Sequence, residues 1–192
     1  MIRSTFSILD GIGKITERKL WNLGIRHWNE FLYRETVPGI SPKRKHQYNK
    51  DLIIASSELE AKNSHYFLEK LKKDEHWKLF DVFKEQALFL DIETTGISSD
   101  SNDLTVVGLY DGRTMKALVQ GVDLTEENLL FYFSNCKILV TFFGSAFDLP
   151  FIASKFPSID LCIPHFDLCF AARKLGLTGG LKKIETLVGI TR

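Results

Sequence analysis

ALFLDIETTG, residues Ala87–Gly96, is the stretch on which the rest of the chain is organised. Four apolar residues run straight into Asp91-Ile92-Glu93, followed by two threonines and a glycine. The run has the composition of a buried central strand. Alternate residues of a strand face opposite ways, so Asp91 and Glu93 share a face and Ile92 points to the other. Two carboxylates about 7 Å apart along a strand are too costly to bury as bare charges. They are either solvated at the strand end or paired with cations. Hard oxygen ligands in a pair suit Mg²⁺ or Mn²⁺.

A third acid, Asp148, lies in VTFFGSAFDLPFI (140–152). It follows the apolar run 137–143 and opens a helix over 148–156, whose Pro150 is tolerated in the first turn. If the run is a strand parallel to the first, Asp148 arrives beside Asp91 and Glu93, and three acids converge. Between the two motifs, residues 104–110 read as a strand, Asp111-Gly112 as a hairpin turn and Met115–Gly121 as the returning strand. A helix over 123–135 follows, with Thr125 as its cap. Beyond Asp148, residues 165–168 form a short strand or turn, and helices cover 169–175 and 181–187. Three antiparallel strands followed by strand–helix alternation is the order of a ribonuclease-H-like α/β fold, expected over residues 84–192.

Residues 1–83 read as a small all-α region. Gly11-Ile12-Gly13 makes a tight turn, with Thr16 as cap for a helix over 17–23, Gly24 as its stop and a second short helix over 25–32. This resembles a helix-hairpin-helix unit with a short first helix. That likeness would set the backbone of Gly11 and Gly13, with Lys14, Arg18 and Lys19, against nucleic-acid phosphate; the alternative is a packing unit that binds nothing. Ser41-Pro42 opens a long helix to about residue 61. The cluster Lys43-Arg44-Lys45 reads as a solvated face. Further helices are expected over 63–72 and from Asp74. With no Gly/Ser-rich linker before residue 87, the helical part should pack on the α/β part.

The 192 residues are 44% hydrophobic and 26% charged, ordinary for a soluble globular protein. No apolar run spans a bilayer, and the N-terminus lacks a signal-peptide core, so a cytoplasmic protein without membrane attachment is expected. Cys136, Cys162 and Cys169 read as core thiols. Net charge is +1, but residues 1–83 carry 15 Lys and Arg against 11 Asp and Glu, and residues 84–192 carry 10 against 13. A basic part beside an acidic part would suit nucleic acid held next to a cation site.

DIETTG at 91–96, AFDLP at 146–150 and HFDL at 165–168 together resemble the DnaQ-like (DEDD) 3′–5′ exonucleases. The YprB-like, RNase-H-like branch is the best match, since its upstream helical region also resembles GIG, WNEFL (28–32) and HWKLF (76–80). The resemblance implies Asp91, Glu93 and Asp148 as ligands of a two-metal Mg²⁺ or Mn²⁺ site. It also implies Thr94, Thr95, Gly96 and Phe147 against the terminal nucleotide of a single-stranded 3′ end, of DNA or RNA. Phosphodiester hydrolysis is the implied reaction. Two departures stand out. Phe143 occupies the place where the family carries Asn. The third motif, a Tyr or His followed by a fourth Asp, has no match between Leu181 and Arg192. Asp167 is the best substitute acid for catalysis, against a helix-cap role; His165 reads as a packed or surface histidine, against a general base. The expectation is therefore an exonuclease-like nuclease. The alternative is a fragment or incomplete domain that binds nucleic acid without turnover.

Overall fold

The computed structural model describes residues 1–190. Five strands form one sheet: β1 (Ala87–Thr94), β2 (Leu104–Tyr110), β3 (Met115–Val119), β4 (Ile138–Thr141) and β5 (His165–Asp167), in the order β3-β2-β1-β4-β5. The first three pair antiparallel, while β4 runs parallel to both β1 and β5. The expected meander followed by alternation is present. Asp111 makes the β2–β3 hairpin tight, its carboxylate accepting from the amides of Arg113 and Thr114 at 2.8 and 2.7 Å. Helices α5 (Glu126–Ser134) and α6 (Asp148–Lys155) are the crossovers that parallel pairing requires, and α7 (Leu168–Lys174) and α8 (Leu181–Leu187) follow β5. Thr125 caps α5 as expected, accepting from the Asn128 amide.

The N-terminal part holds α1 (Lys14–Asn22), α2 (Trp28–Tyr33), α3 (Pro42–Glu60) and α4 (Phe80–Phe83), with short 3-10 segments between them. Several local expectations are corrected. Gly13, not Thr16, precedes the first helical residue of α1. His27 caps α2 in a reciprocal box: its ring accepts from the Asn29 amide, and Glu30 accepts from the His27 amide. Residues 63–72 form only one 3-10 turn, His65–Phe67. Ten residues fall short of a self-sustaining helix, and this one turn already buries Phe67, with Leu71 buried beyond it. Lys45 is not on a solvated face. It is buried, with Nζ 2.6 Å from Asn49 Oδ1 and 4.7 Å from the centre of the Phe31 ring. Cys136 and Cys169 are core thiols, but Cys162 is exposed.

Two cores sandwich the sheet. On one side Leu20, Trp28, Phe31, Leu52 and Phe83 of the helical part join Ala87, Ile138 and Val140 in one cluster. On the other, Leu88, Leu90 and Ile92 pack with Val107, Leu129, Phe133 and Phe151. The alternation of β1 thus feeds both cores, and each fully buried Leu or Phe contributes about 1.5–3 kcal/mol. Among the described residues, no helix is long and apolar enough to cross a membrane.

Candidate active site

β1 changes character along its length. Leu88, Leu90 and Ile92 stay buried, whereas Asp91 and Glu93 are exposed. The first core covers that face of β1 only at Ala87 and Phe89, so Asp91 and Glu93 project beyond it. β4 accompanies β1 only from Ala87 to Phe89, so the second half of β1 has no strand on that side. The chain leaves β4 at Thr141, turns through 142–147 and starts α6 at Asp148, which fills the space beside the free half of β1. Asp148 is only 4% exposed. Burial pushes its carboxyl up to about 6, and the charge of Asp91 adds to the rise. Its own amide and that of Ile92 pull it partly back, while Asp167 pushes up again.

Among the described residues, no ion pair involves Asp91, Glu93, Asp148 or Asp167. Such an all-oxygen, anionic donor set suits a hard divalent cation. Among the described residues no three His, Cys, Asp or Glu side chains stand gathered as a ready-made ligand group.

Asp167 has a different occupation. At the end of β5 it caps α7, accepting from the Cys169 amide at 3.0 Å. It also accepts from the Phe143 amide at 2.9 Å, the Ser145 amide at 3.1 Å and the Ser145 hydroxyl at 2.6 Å. Burial works to raise its carboxyl, but the Ser145, Phe143 and Cys169 donors together hold it below the usual carboxylate range. Asp167 therefore ties down the turn from which Asp148 emerges. His165 is a packed histidine. Its Nε2 lies 2.8 Å from Thr141 Oγ1, and its amide donates to His76 Nδ1 at 3.2 Å. Burial lowers its pKa, with Asp167 opposing.

Of the remaining candidates, Thr94–Gly96 follow directly on Glu93 and Phe147 immediately precedes Asp148, while Gly11, Gly13, Lys14, Arg18 and Lys19 belong to the helical part. Thr94 donates to the Gly96 carbonyl, and Thr95 Oγ1 accepts from the Asp103 amide, so Thr94–Gly96 closes the β1–β2 loop. Gly96 is crossed closely by the Asn102 side chain, which leaves no room for a Cβ. Phe147 packs on Phe151, ring centres 5.7 Å apart, against the second core. Gly11 takes φ +73 with the Arg44 guanidinium against it; Lys14, Arg18 and Lys19 are exposed on α1. Sequence reading missed the His76–His165–Thr141 chain and the cluster Phe143–Phe170–Arg173. Both join residues distant in sequence, and the one local signal was Phe143 in a turn.

A family model of the RNase_H superfamily matches residues 88–192, more than half of the chain. No curated protein matches. Similar solved structures include Brucella melitensis NrnC bound to pGG, 24% identical with a TM-score of 0.47, covering 59% of this chain and 58% of that one. NrnC with bound Mg²⁺ is 22% identical with a TM-score of 0.47 over 59% and 58%. NrnC alone is 24% identical with a TM-score of 0.46 over 57% and 55%. The chain thus spans less than three fifths of the length of these structures. With its acids on the central strand and at the start of the helix after β4, and with a family model matched over most of the sheet, the chain belongs to the RNase_H superfamily.

Proposed function

We propose that the chain acts as a metal-dependent nuclease of the DnaQ-like (DEDD), YprB-like kind, removing nucleotides from the 3′ end of single-stranded DNA or RNA. The observation that supports this reading most is Asp148: a buried carboxyl beside Asp91, raised to about 6, with no basic partner among the described residues. Asp91, Glu93 and Asp148 would hold Mg²⁺ or Mn²⁺, two ions by the family resemblance. When bound, the ions supply Lewis acidity to the attacking water, the phosphate and the leaving 3′ oxygen. Asp148 must give up its proton for the site to load. Asp167 keeps the 143–145 turn in place, and so keeps Asp148 beside β1. The Thr94–Gly96 loop and Phe147 would border the terminal nucleotide. Gly11 and Gly13, with Lys14, Arg18 and Lys19, would meet the backbone farther along the strand as a helix-hairpin-helix-like contact. Three free thiols fit a cytoplasmic setting.

A second reading is a nucleic-acid-binding module that keeps the fold without turnover. Its support is Asp167, the nearest fourth acid, whose oxygens are already engaged by four donors. Digestion of 3′-end-labelled single-stranded DNA and RNA with Mn²⁺ separates the readings. Stepwise shortening is expected, slowed about 10²–10³-fold in Asp91→Ala. Metal-dependent binding with no shortening would favour the second reading.

A further inference from the structure

We propose that Phe143, Phe170 and Arg173 form a stacking platform for an unpaired nucleobase of single-stranded nucleic acid, immediately beside the acids; this rests on the nuclease reading. Phe143 sits at φ +68, a conformation that a bulky aromatic residue rarely adopts and that Asn or Gly takes readily. Core packing does not explain the choice. The side chain is 41% exposed and belongs to neither core. Strain on an exposed ring in a site turn is a mark of function rather than of folding.

Phe170 complements it. On α7, Cys169 and Ala172 face inward while Phe170 is 40% exposed. The two rings lie 6.2 Å apart at 35°. The Arg173 guanidinium sits over both, 5.3 Å from Phe170 and 6.0 Å from Phe143, and no carboxylate pairs with it among the described residues. Phe170 also walls a cavity of about 670 Å³ with Leu149, Pro150 and Ala153, which extends the apolar surface. Phe143 donates its amide to Asp167, whose charge bears on Asp148, and the turn that carries the Phe143 ring leads directly into Asp148.

Two ring faces plus one unpaired cation match a base and its phosphate. Stacking of this kind is tolerant of sequence, because every base has a π-face, and the guanidinium adds cation–π and phosphate attraction. An acidic peptide would meet repulsion from Asp91, Glu93, Asp148 and Asp167. A nucleic acid brings its phosphates to a place where those acids hold cations.

The test measures fluorescence anisotropy of a 5′-labelled oligothymidylate, and of an abasic strand of equal length, in Ca²⁺ with the full chain. Wild type should bind the base-bearing strand at least about fivefold tighter. Phe143→Asn and Phe170→Ala should each shrink that ratio, and the double variant should bring it near one. Phe143→Asn should also melt no lower than wild type, since Asn relieves the strained φ. Arg173→Gln should weaken both strands alike and flatten the salt dependence. A wild-type ratio near one, or a ratio unchanged in both ring variants, overturns the platform and leaves the nuclease reading standing. Displacement of the strand by a polyglutamate peptide at equal concentration would assign the surface to acidic protein and overturn it too. Failure of wild type to bind either strand sinks both readings together.

Discussion

Asp148 shows most directly how one residue sets stability against function. The folded carboxyl titrates near 6, against about 4 in an unfolded chain. Between those values the native state keeps a proton that the unfolded chain has released. Its contribution to stability is therefore fully present below the unfolded value and is lost as pH rises through about 6. Asp148→Asn removes the unpaired charge while keeping the shape. At pH 8 in chelator it should be more stable than wild type by on the order of 2 kcal/mol, and near pH 4 the difference should vanish. Mg²⁺ should raise the wild-type melting temperature and leave the variant unmoved. A variant that melts lower at pH 8 would show that the carboxylate's hydrogen bonds outweigh its repulsion from Asp91. A buried carboxyl raised by desolvation and a like charge is a frequent mark of a functional site.

The elements owe their positions to a few polar clasps as much as to apolar burial. Glu17 of α1 is buried and accepts from the Thr5 hydroxyl at 2.5 Å and the Phe6 amide at 2.6 Å. Trp28 Nε1 of α2 donates to the Thr5 carbonyl, and Lys78 donates to the Thr5 hydroxyl oxygen while pairing with Glu75. One carboxylate thus fixes the N-terminal strand of chain to α1, and through Thr5 to the segment that carries His76. Glu17→Ala leaves the buried Phe6 amide unsatisfied and the Thr5 hydroxyl with only Ser7 to donate to, and should lower stability by about 2–3 kcal/mol, read as a shift in urea midpoint at constant slope. Glu17→Gln retains an acceptor and should lose less; equal losses would show that the charge, rather than the acceptor, matters. The same logic holds at β5, where His76 covers the outer-edge amide of His165 and so blunts an exposed strand edge.

Over the whole molecule, the first core runs without a break from Phe6 and Trp28 to Ile138 and Val140. Residues 1–83 and 84–192 read as two parts in sequence, yet apolar side chains from both fill one cluster. We expect them to unfold together. All three tryptophans, Trp21, Trp28 and Trp77, lie in the helical part, so their fluorescence follows that part while far-UV ellipticity follows the whole chain. The two thermal transitions should coincide and fit a single two-state step. Two separated midpoints would instead establish independent units.

The sequence by itself determined the strand–helix order, the meander over β1–β3, the cap at Thr125 and the pairing of Asp91 with Glu93 on one strand face. These follow from period-two alternation, turn chemistry and capping, all of which act within a few residues. The helical region was less legible. The segment 63–72 has helical composition but only one turn, and Lys45 looks solvated yet lies over Phe31; in both, burial against distant residues prevails over local preference. Only the tertiary structure decided that β4 stops short of Asp91, leaving room for Asp148 beside β1. It alone decided that Asp167 is engaged by the 143–145 turn and α7, and that Phe143, Phe170 and Arg173 meet. Such contacts depend on parallel register and crossover packing between segments 20 to 100 residues apart, and no local pattern encodes that distance.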